Sequence, residues 1–283
     1  TFLFRSLFRI LVCGCLSSSA LLRAEPDLQT FVIPTLSSWT NSLKMEFVVG
    51  LAPGLKVCAW ETRVRDFREY TKSKYLPEKV ADFEQTDAHP VVSVSWNEAK
   101  AFCLWLTERE RRYGLIPSSA SYRLPTDRQW TWFMGRFAEP KALPRDLDED
   151  ANGGYVWGLE WPPSKNVGNF GADMEVDSFE FTSPVGSFAA SPVGLFDVAG
   201  NVWEYVADFY HPAVYRAARP ANPGGPSSGR YRSLRGGGWD TFSTNMRVSN
   251  RFNDHLKGST VGFRCVTGGD PVIEGIAAVE WSS

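Results

Sequence analysis

This chain of 283 residues contains few histidines, carries little net charge and has few long apolar runs. Its three histidines, His89, His211 and His255, lie far apart and form no His-x-His or His-Glu-x-x-His spacing, which argues against zinc chemistry. The formal net charge of −2 provides no basic field that would attract nucleic acid or an anionic membrane. The segment 225–229 matches G-x-S-x-G, but it lies in a stretch rich in proline and glycine, without the flanking strand and helix of a nucleophile elbow. Hydrolase, zinc-enzyme and nucleic-acid-binding classes are therefore disfavoured.

The first 24 residues have the pattern of an export signal. Arg5 and Arg9 form a basic start, residues 10–22 form an apolar core, and residues 22–24 make an acceptable cleavage site. The apolar run is too short to span a bilayer, so no transmembrane segment is expected. We therefore expect an exported protein, secreted or periplasmic. Cys15 lies in a lipobox-like Val-Cys-Gly-Cys segment, which leaves lipid anchoring as the alternative.

Cysteine becomes scarce once this signal is removed. Only Cys58, Cys103 and Cys265 remain, and none of them has metal-type spacing. In an oxidising compartment, three cysteines favour one disulfide and one spare thiol.

Apolar and aromatic residues, by contrast, are plentiful. Hydrophobic residues make up 43% of the chain and 11 residues are tryptophan, enough for the core of one large domain or two small ones. Ser95 and Glu98 make a capping box, which predicts a helix that ends at Gly114. The buried face of this helix is expected to carry Ala99, Phe102, Cys103 and Leu106, which follow at helical spacing.

Other elements are predicted from shorter signals. Thr126 and Gln129 form a second capping box before a short helix, and a further helix is expected over 63–71 with Thr62 as its N-cap. Residues 31–33 and 45–49 are the best strand candidates. From residue 139 onward, proline and glycine interrupt the periodic patterns of helices and strands. So long an irregular segment usually needs a stabilising cross-link, either a disulfide or a metal ion.

The segment 194–205, GLFDVAGNVWEY, places oxygen ligands among apolar residues. Asp197, Asn201 and Glu204 are hard ligands, and Gly200 lets the backbone turn its carbonyls toward a common point, as a calcium site requires. The alternative is a turn in which Asn201 or Asp197 caps a short helix. From these residues alone the turn is favoured, since short motifs match often by chance.

Six segments, taken in order, resemble the formylglycine-generating enzyme family, also called sulfatase-modifying factors. They are Trp60-Glu-Thr-Arg-Val, His89-Pro-Val-Val-Ser-Val-Ser-Trp, Tyr122-Arg-Leu-Pro-Thr-Asp-Arg-Gln-Trp, Gly194-Leu-Phe-Asp-Val-Ala-Gly-Asn-Val-Trp-Glu, Leu234-Arg-Gly-Gly-Gly-Trp and Val261-Gly-Phe-Arg-Cys265. The resemblance implies one mixed α/β domain with little regular secondary structure, a C-type-lectin-like variant of the formylglycine-generating enzyme fold. That domain would span 45–270, between a lead-in at 25–44 and a tail at 271–283.

The resemblance also implies two structural calcium ions and a disulfide. One calcium would be bound by the side chains of Asp197 and Glu204 and the carbonyls of Gly200 and Val202. The other would be bound by the side chains of Asn169 and Asp177 and the carbonyls of Phe170 and Phe179. The implied disulfide joins Cys103 to Cys265, which leaves Cys58 as a buried thiol.

One departure from the family pattern concerns the active site. Resembling enzymes carry two cysteines after the Arg-Gly-Gly-Ser-Trp-like motif, where they bind Cu(I), activate O₂ and form a mixed disulfide with the substrate cysteine. No cysteine lies between residues 238 and 265 here, and the nearest counterparts are Thr241 and Met246. Hydroxyl and thioether groups are poor substitutes for two thiolates, so neither copper binding nor this oxidase chemistry is expected.

Two functional hypotheses follow. The first is a secreted, calcium-stabilised and monomeric pseudoenzyme that acts as a binding module for a peptide, protein or glycan. Its candidate groove comprises Trp239, Asn245, Arg247, Arg251 and Asn253, although Arg247 and Arg251 would equally serve as partners of nearby carboxylates. The alternative is an enzyme: a formylglycine-generating oxidase that activates sulfatases, or a maturation enzyme of different chemistry, as in the pyoverdine and sulfoxide-synthase relatives of this fold.

Overall fold

A computed structural model describes residues 36–134, 154–211, 226, 228–241, 246–247, 250–254 and 258–268. These residues belong to one compact unit, Pro34–Ser283. The expected export signal, the strand expected at 31–33 and the tail 271–283 lie outside the described residues.

Three α-helices and one 3₁₀ turn are described. They are α1 (Val64–Ser73), α2 (Trp96–Arg112), α3 (Asp127–Phe133) and the 3₁₀ turn Ala172–Met174. Both predicted capping boxes are present: Ser95 caps α2 with Glu98, and Thr126 caps α3 with Gln129. The predicted apolar face of α2 is buried, and Gly114 follows its end with φ +68°. Among the described residues, no helix is both long and apolar enough to cross a membrane.

The start of α1 differs from the prediction by one residue. Arg63, not Thr62, is the N-cap, and its backbone N–H and its guanidinium both donate to Asp66. The backbone of Thr62 is paired on both sides, because its N–H donates to the carbonyl of Phe263 and its carbonyl accepts from the N–H of Val91, both at 2.8 Å. Tertiary pairing therefore overrides the local capping preference of threonine.

The strands form two sheets. Their bounds are β1 Ser37–Thr40, β2 Glu46–Val49, β3 Lys56–Cys58, β4 Tyr122–Arg123, β5 Trp203–Phe209, β6 Arg232–Arg235, β7 Phe252–Asn253, β8 Val261–Gly262 and β9 Val266–Thr267. Within the described part of the chain, one sheet has the order β1-β2-β3-β9-β4 and the other β7-β6-β5-β8. The strand predicted at 45–49 is confirmed as β2.

The main core lies where α2 meets these sheets. Phe102 of α2 stacks on Phe67 of α1, with ring centroids 5.6 Å apart, and Phe263 packs edge-on against both rings. A second apolar cluster surrounds Trp130 of α3 and Val266 of β9. Because β8 and β9 are consecutive, the segment 263–265 between them links the two sheets through the core.

Candidate functional site

The turn at Gly200 joins two other segments. Gly200 has φ +85°, and a Cβ there would lie 2.2 Å from the carbonyl oxygen of Asn169, so only glycine fits without a shift. Its N–H donates to Gly236, while the N–H of Asn201 donates to Asn169 at 2.9 Å. The carbonyl of Asn201 accepts from the N–H of Trp239 at 2.8 Å. The loop at Asn169 and the turn that precedes Trp239 are thus held on either side of the Gly200 turn.

Thr241 and Met246, predicted from the resemblance as the nearest counterparts of two missing cysteines, are both buried. Thr241 closes a turn: its Oγ1 accepts from the N–H of Gly238 at 2.8 Å, and its own N–H donates to the carbonyl of Gly238 at 2.9 Å. Met246 is 1% exposed and lies in an apolar cluster with Phe170, Val176 and Ala199. Neither position offers an accessible soft ligand.

The predicted groove is only partly assembled. Trp239 is half-buried and Arg247 is exposed, whereas Asn245 lies outside the described residues. Arg251 is an ion-pair partner instead, because its Nε donates to Asp127 at 2.8 Å and its side chain is 5% exposed. Asn253 belongs to β7 and is paired in register with Ser233 of β6.

An aromatic cluster that the sequence did not indicate surrounds Trp239. Phe83 and Phe181 stack with ring centroids 4.6 Å apart and an interplanar angle of 4°. Trp239 packs edge-on against both rings, at 5.8 and 5.2 Å. All three side chains are half-buried, so the cluster presents aromatic surface without being part of the core.

The loop at Asn169 has features that a calcium ion requires. The Oδ1 atom of Asn169 is buried and has no hydrogen-bond partner among the described residues. The carboxylate of Asp177 accepts from the N–H groups of Phe170 and Phe179, at 2.9 and 2.8 Å, which leaves a lone pair on each oxygen. No group of three or more His, Cys, Asp or Glu side chains in the described part is placed to hold a metal ion, so any site must draw on amide and carbonyl oxygens. The Asn169 set fits calcium on these grounds.

The oxygen atoms of the other predicted calcium site, that of Asp197 and Glu204, accept hydrogen bonds from protein donors instead. Both carboxylate oxygens of Glu204 accept from Arg264, at 2.6 to 3.0 Å, and Arg264 also donates to the Asp197 carbonyl. Oδ2 of Asp197 accepts from the N–H of Gly186 at 2.7 Å. A guanidinium cation thus stands where a calcium ion would need carboxylate oxygens, so this set does not fit calcium in the arrangement described.

A third carboxyl group, Glu61, lies in the same interior region. It is 0% exposed, and neither of its carboxylate oxygens has a hydrogen-bond partner among the described residues. Burial, and then the charges of Asp197 and Glu204, raise the pKa of Glu61 well above its usual range. Burial likewise raises the pKa of Asp197, and that of Glu204 to about 7. Three carboxyl groups therefore share one guanidinium, Arg264. The motif segments Trp60-Glu and Phe-Arg-Cys265 contained both Glu61 and Arg264, and that was the signal available for finding them.

The three cysteines in the described part of the chain are buried thiols. The Sγ atoms of Cys103 and Cys265 lie 3.5 Å apart, which brings the implied pair together in van der Waals contact. Burial raises the pKa of Cys58 and of Cys265 far above the usual range of a thiol. Neither is a ready source of thiolate at neutral pH.

Curated relatives include active and inactive enzymes. The chain is 32% identical over 194 residues to the formylglycine-generating enzyme of Streptomyces coelicolor, covering 64% of this chain and 54% of that protein. It is 30% identical over 191 residues to the inactive C-alpha-formylglycine-generating enzyme 2 of Bos taurus, covering 63% and 50%. The chain thus matches about half the length of these relatives.

Solved structures agree on the fold. PvdO from Pseudomonas aeruginosa matches with a TM-score of 0.59 at 18% identity, over 82% of this chain and 92% of that one. Treponema denticola variable protein 1 matches with a TM-score of 0.60 at 19% identity, over 82% and 99%. The fold is the expected mixed α/β architecture with little regular secondary structure, a C-type-lectin-like variant. The profile of the sulfatase-modifying factor enzyme 1-like domain matches residues 34–268, and the chain therefore belongs to that family.

Proposed function

We propose that this protein is a binding module of the sulfatase-modifying factor family that does not form formylglycine. The observation that carries the proposal is the burial of Thr241 and Met246 at the positions of the missing cysteines. Copper-dependent oxidation in the resembling enzymes needs two thiolates, which bind a soft ion and form a disulfide with the substrate. A hydroxyl that closes a turn and a thioether in an apolar cluster perform neither task.

The thiols of the described residues do not replace that pair. Cys58 and Cys265 are fully buried and their pKa values are raised by burial, while Cys103 is in contact with Cys265. The existence of a relative named as inactive is consistent with a member of the family that lacks the oxidation reaction.

The proposed binding surface is the aromatic cluster of Phe83, Phe181 and Trp239, and Arg247 is the exposed cation of the predicted groove. Half-buried aromatic rings provide large contact area at low entropic cost and are enriched in binding surfaces for peptides and glycans. Trp239 is fixed in position because its Nε1–H donates to the Ser259 carbonyl at 3.0 Å. Arg251 is not included, since it is held by Asp127.

Calcium and export are parts of the same proposal. The loop formed by Asn169 and Asp177, with the carbonyls of Phe170 and Phe179, would hold one structural calcium ion and fix the irregular segment 166–180. Export rests on residues 1–24, with lipid anchoring through Cys15 as the alternative. The proposed protein acts as a monomer.

The test is a comparison of binding by matched tryptophan variants. The full chain, Trp239→Ala and Trp161→Ala are each titrated against immobilised peptide and glycan arrays. Trp161 is the matched control, because it is exposed and contacts Tyr155 rather than the aromatic cluster. We expect saturable binding that Trp239→Ala abolishes or weakens about tenfold or more while Trp161→Ala retains it. Equal binding by both variants would reject this surface.

A further inference from the structure

A second concave surface lies on the sheet that contains β3, β9 and β4. It has a volume of about 560 Å³ and is lined by Gly54, Lys56, Ile116, Pro117, Ser119, Ala120, Ser121, Arg123, Thr267 and Gly268. This volume is within the range of about 300–1,000 Å³ typical of small-molecule sites. None of these lining residues belongs to the aromatic cluster around Trp239. We call this surface the Lys56 pocket.

The floor of the pocket is a tight contact between two glycines. Gly268 has φ +67°, and a Cβ there would lie 2.1 Å from the carbonyl oxygen of Gly54. A side chain at Gly268 would therefore displace the turn at Gly54. The backbone at this part of the pocket is therefore closely fitted.

The polar side chains of the pocket wall favour hydrogen-bond donation. Lys56 carries three donors and no acceptor, Arg123 is a guanidinium, and the lining residues include no carboxylate. Arg123 is fixed in the wall because it donates to Gln129 at 2.8 Å and to the Gly268 carbonyl at 3.3 Å. A third cation, Arg111, donates to the carbonyl of Ala120 at 2.9 Å and so adds positive charge behind the wall.

Lys56 is positioned without a carboxylate partner among the described residues. Its Nζ lies 4.1 Å from the centroid of the Trp39 ring, which fixes the ammonium group by a cation–π contact. In register, Lys56 lies directly opposite Thr267 of β9, so both side chains project from the same face of the sheet.

Thr267 gives an independent sign of a missing partner. The residue is 2% exposed, and its Oγ1 is buried with no hydrogen-bond partner among the described residues. Buried hydroxyls in native proteins are nearly always hydrogen-bonded, to protein, water or ligand. The unsatisfied hydroxyl of Thr267 therefore lies on the same face of the sheet as Lys56, and both residues line the pocket.

We propose that the Lys56 pocket binds a small ligand through an oxyanion, the carboxylate or phosphate end of that ligand, with Lys56 as its charged contact and Thr267 as a second donor. A wall of donors and cations without carboxylates is complementary to an oxyanion and repels a cation. The Ser119 and Ser121 segment provides further hydroxyl groups at the mouth.

The experiment is an NMR titration of the full chain with sodium phosphate and, separately, with sodium acetate. Chloride keeps the ionic strength constant, so that general screening does not imitate binding. Saturable shifts of the backbone amides of Gly54 and Gly268 are expected with at least one of the two anions. Saturation by acetate alone identifies a carboxylate site, and saturation by phosphate identifies a phosphate site; both support the proposal.

Two matched lysine variants decide whether the site is specific. Lys56 and Lys100 both stand over a tryptophan ring, but Lys100 lies over Trp96 and does not line the pocket. We expect Lys56→Gln to weaken anion binding about tenfold or more and Lys100→Gln to leave it unchanged. Thr267→Val should weaken binding about threefold without lowering the melting temperature measured in the absence of anion. An absence of saturable shifts with both anions, or equal weakening by Lys56→Gln and Lys100→Gln, would overturn the proposal.

Discussion

Three carboxyl groups, Glu61, Asp197 and Glu204, surround the single guanidinium of Arg264 in the interior. Ionising all three would leave two uncompensated negative charges away from water, which is costly. The raised pKa values of these groups mean that the folded protein retains protons which the unfolded chain releases. Asp197 has φ +53°, a conformation that asparagine tolerates well, so this position admits a conservative substitution.

The first prediction concerns pH. The ordinary pKa values are 3.8 for Asp197 and 4.5 for Glu204, and burial raises the latter to about 7 in the folded state. Stability linked to raised pKa values is fully present below the unfolded values and is lost as pH rises through the folded ones. The free energy of unfolding should therefore fall between about pH 4.5 and pH 7, by about 1.4 kcal/mol per pH unit for each proton involved.

Asp197→Asn tests this account of the interior charge. An amide accepts from Gly186 as the carboxylate does but carries no charge, so the variant removes one of the three carboxyl groups that share Arg264. Denaturant unfolding in EDTA should show a shallower pH dependence and, at pH 7, about 1–2 kcal/mol more stability than the parent. Asp173→Asn, at an exposed position, is the control and should change neither quantity. An unfolding free energy that is flat across this pH range in the parent would refute the assignment.

The second prediction assigns calcium to one loop. Calcium that binds only the folded state stabilises it by about 2.7 kcal/mol at a concentration 100 times the dissociation constant. Thermal melts of the parent should therefore shift upward with calcium relative to EDTA. Asp177→Asn should lose most of this shift because it removes the only carboxylate of the Asn169 loop set, while Asp197→Asn should keep it. A shift that survives Asp177→Asn and disappears in Asp197→Asn would place the ion in the other set.

Helix α2 and the segment that joins β8 to β9 are in contact through the sulfur atoms of their cysteines. Cys103 lies on the buried face of α2, and Cys265 lies 3.5 Å from it by sulfur–sulfur distance. A disulfide has a bond length of about 2.05 Å, so a small approach of the two segments would form it. Cys58 is also near, since its N–H donates to the Cys265 carbonyl at 2.9 Å.

The third prediction follows from that geometry. Export to an oxidising compartment should link Cys103 to Cys265, and the bridge should stabilise the fold by about 4–5 kcal/mol in the chain-entropy model of a long loop. Peptide mapping under non-reducing conditions should recover the 103–265 link, and reduction should lower the melting temperature. Cys58→Ala serves as the control and should leave the link intact. Recovery of a peptide that joins Cys58 to Cys265 would contradict this pairing.

Elements with strong local signals could be predicted from sequence. The Ser95–Glu98 and Thr126–Gln129 boxes fix helix starts through contacts three residues apart, so no tertiary information was needed. Thr62 failed as an N-cap because its backbone is paired with Phe263, about 200 residues away in the chain. Strands such as β4 and β7, with two residues each, leave no periodicity to detect.

The candidate site could be predicted less well than the helices, because its contacts join segments that are far apart in the sequence. The Gly200 turn was recognised as special, but its contact with Asn169 depends on the approach of a distant loop. The aromatic cluster joins Phe83, Phe181 and Trp239 from three separate segments, and no local pattern connects them. The engagement of Glu204 by Arg264, and of Arg251 by Asp127, likewise arises only from tertiary packing.

This sulfatase-modifying factor domain keeps the family fold, while the positions that the resemblance assigns to two cysteines hold a turn-closing threonine and a buried methionine. The packing of Met246 with Phe170, Val176 and Ala199 makes this region part of the structure. On the proposal that the protein is a binding module, two positions that serve chemistry in the resembling enzymes serve stability here. The same proposal assigns ligand binding to the half-buried aromatic cluster of Phe83, Phe181 and Trp239.

Formylglycine formation tests this claim most directly. The full chain is incubated with a Cys-x-Pro-x-Arg peptide, Cu(I) and O₂, and the peptide mass is followed over time. The Streptomyces coelicolor relative provides the positive control and heat-treated protein the blank. Because Thr241 and Met246 provide no thiolate pair, we expect the relative to convert the peptide and this protein to leave it unchanged, at the level of the blank. Conversion above the heat-treated blank would contradict the binding-module account.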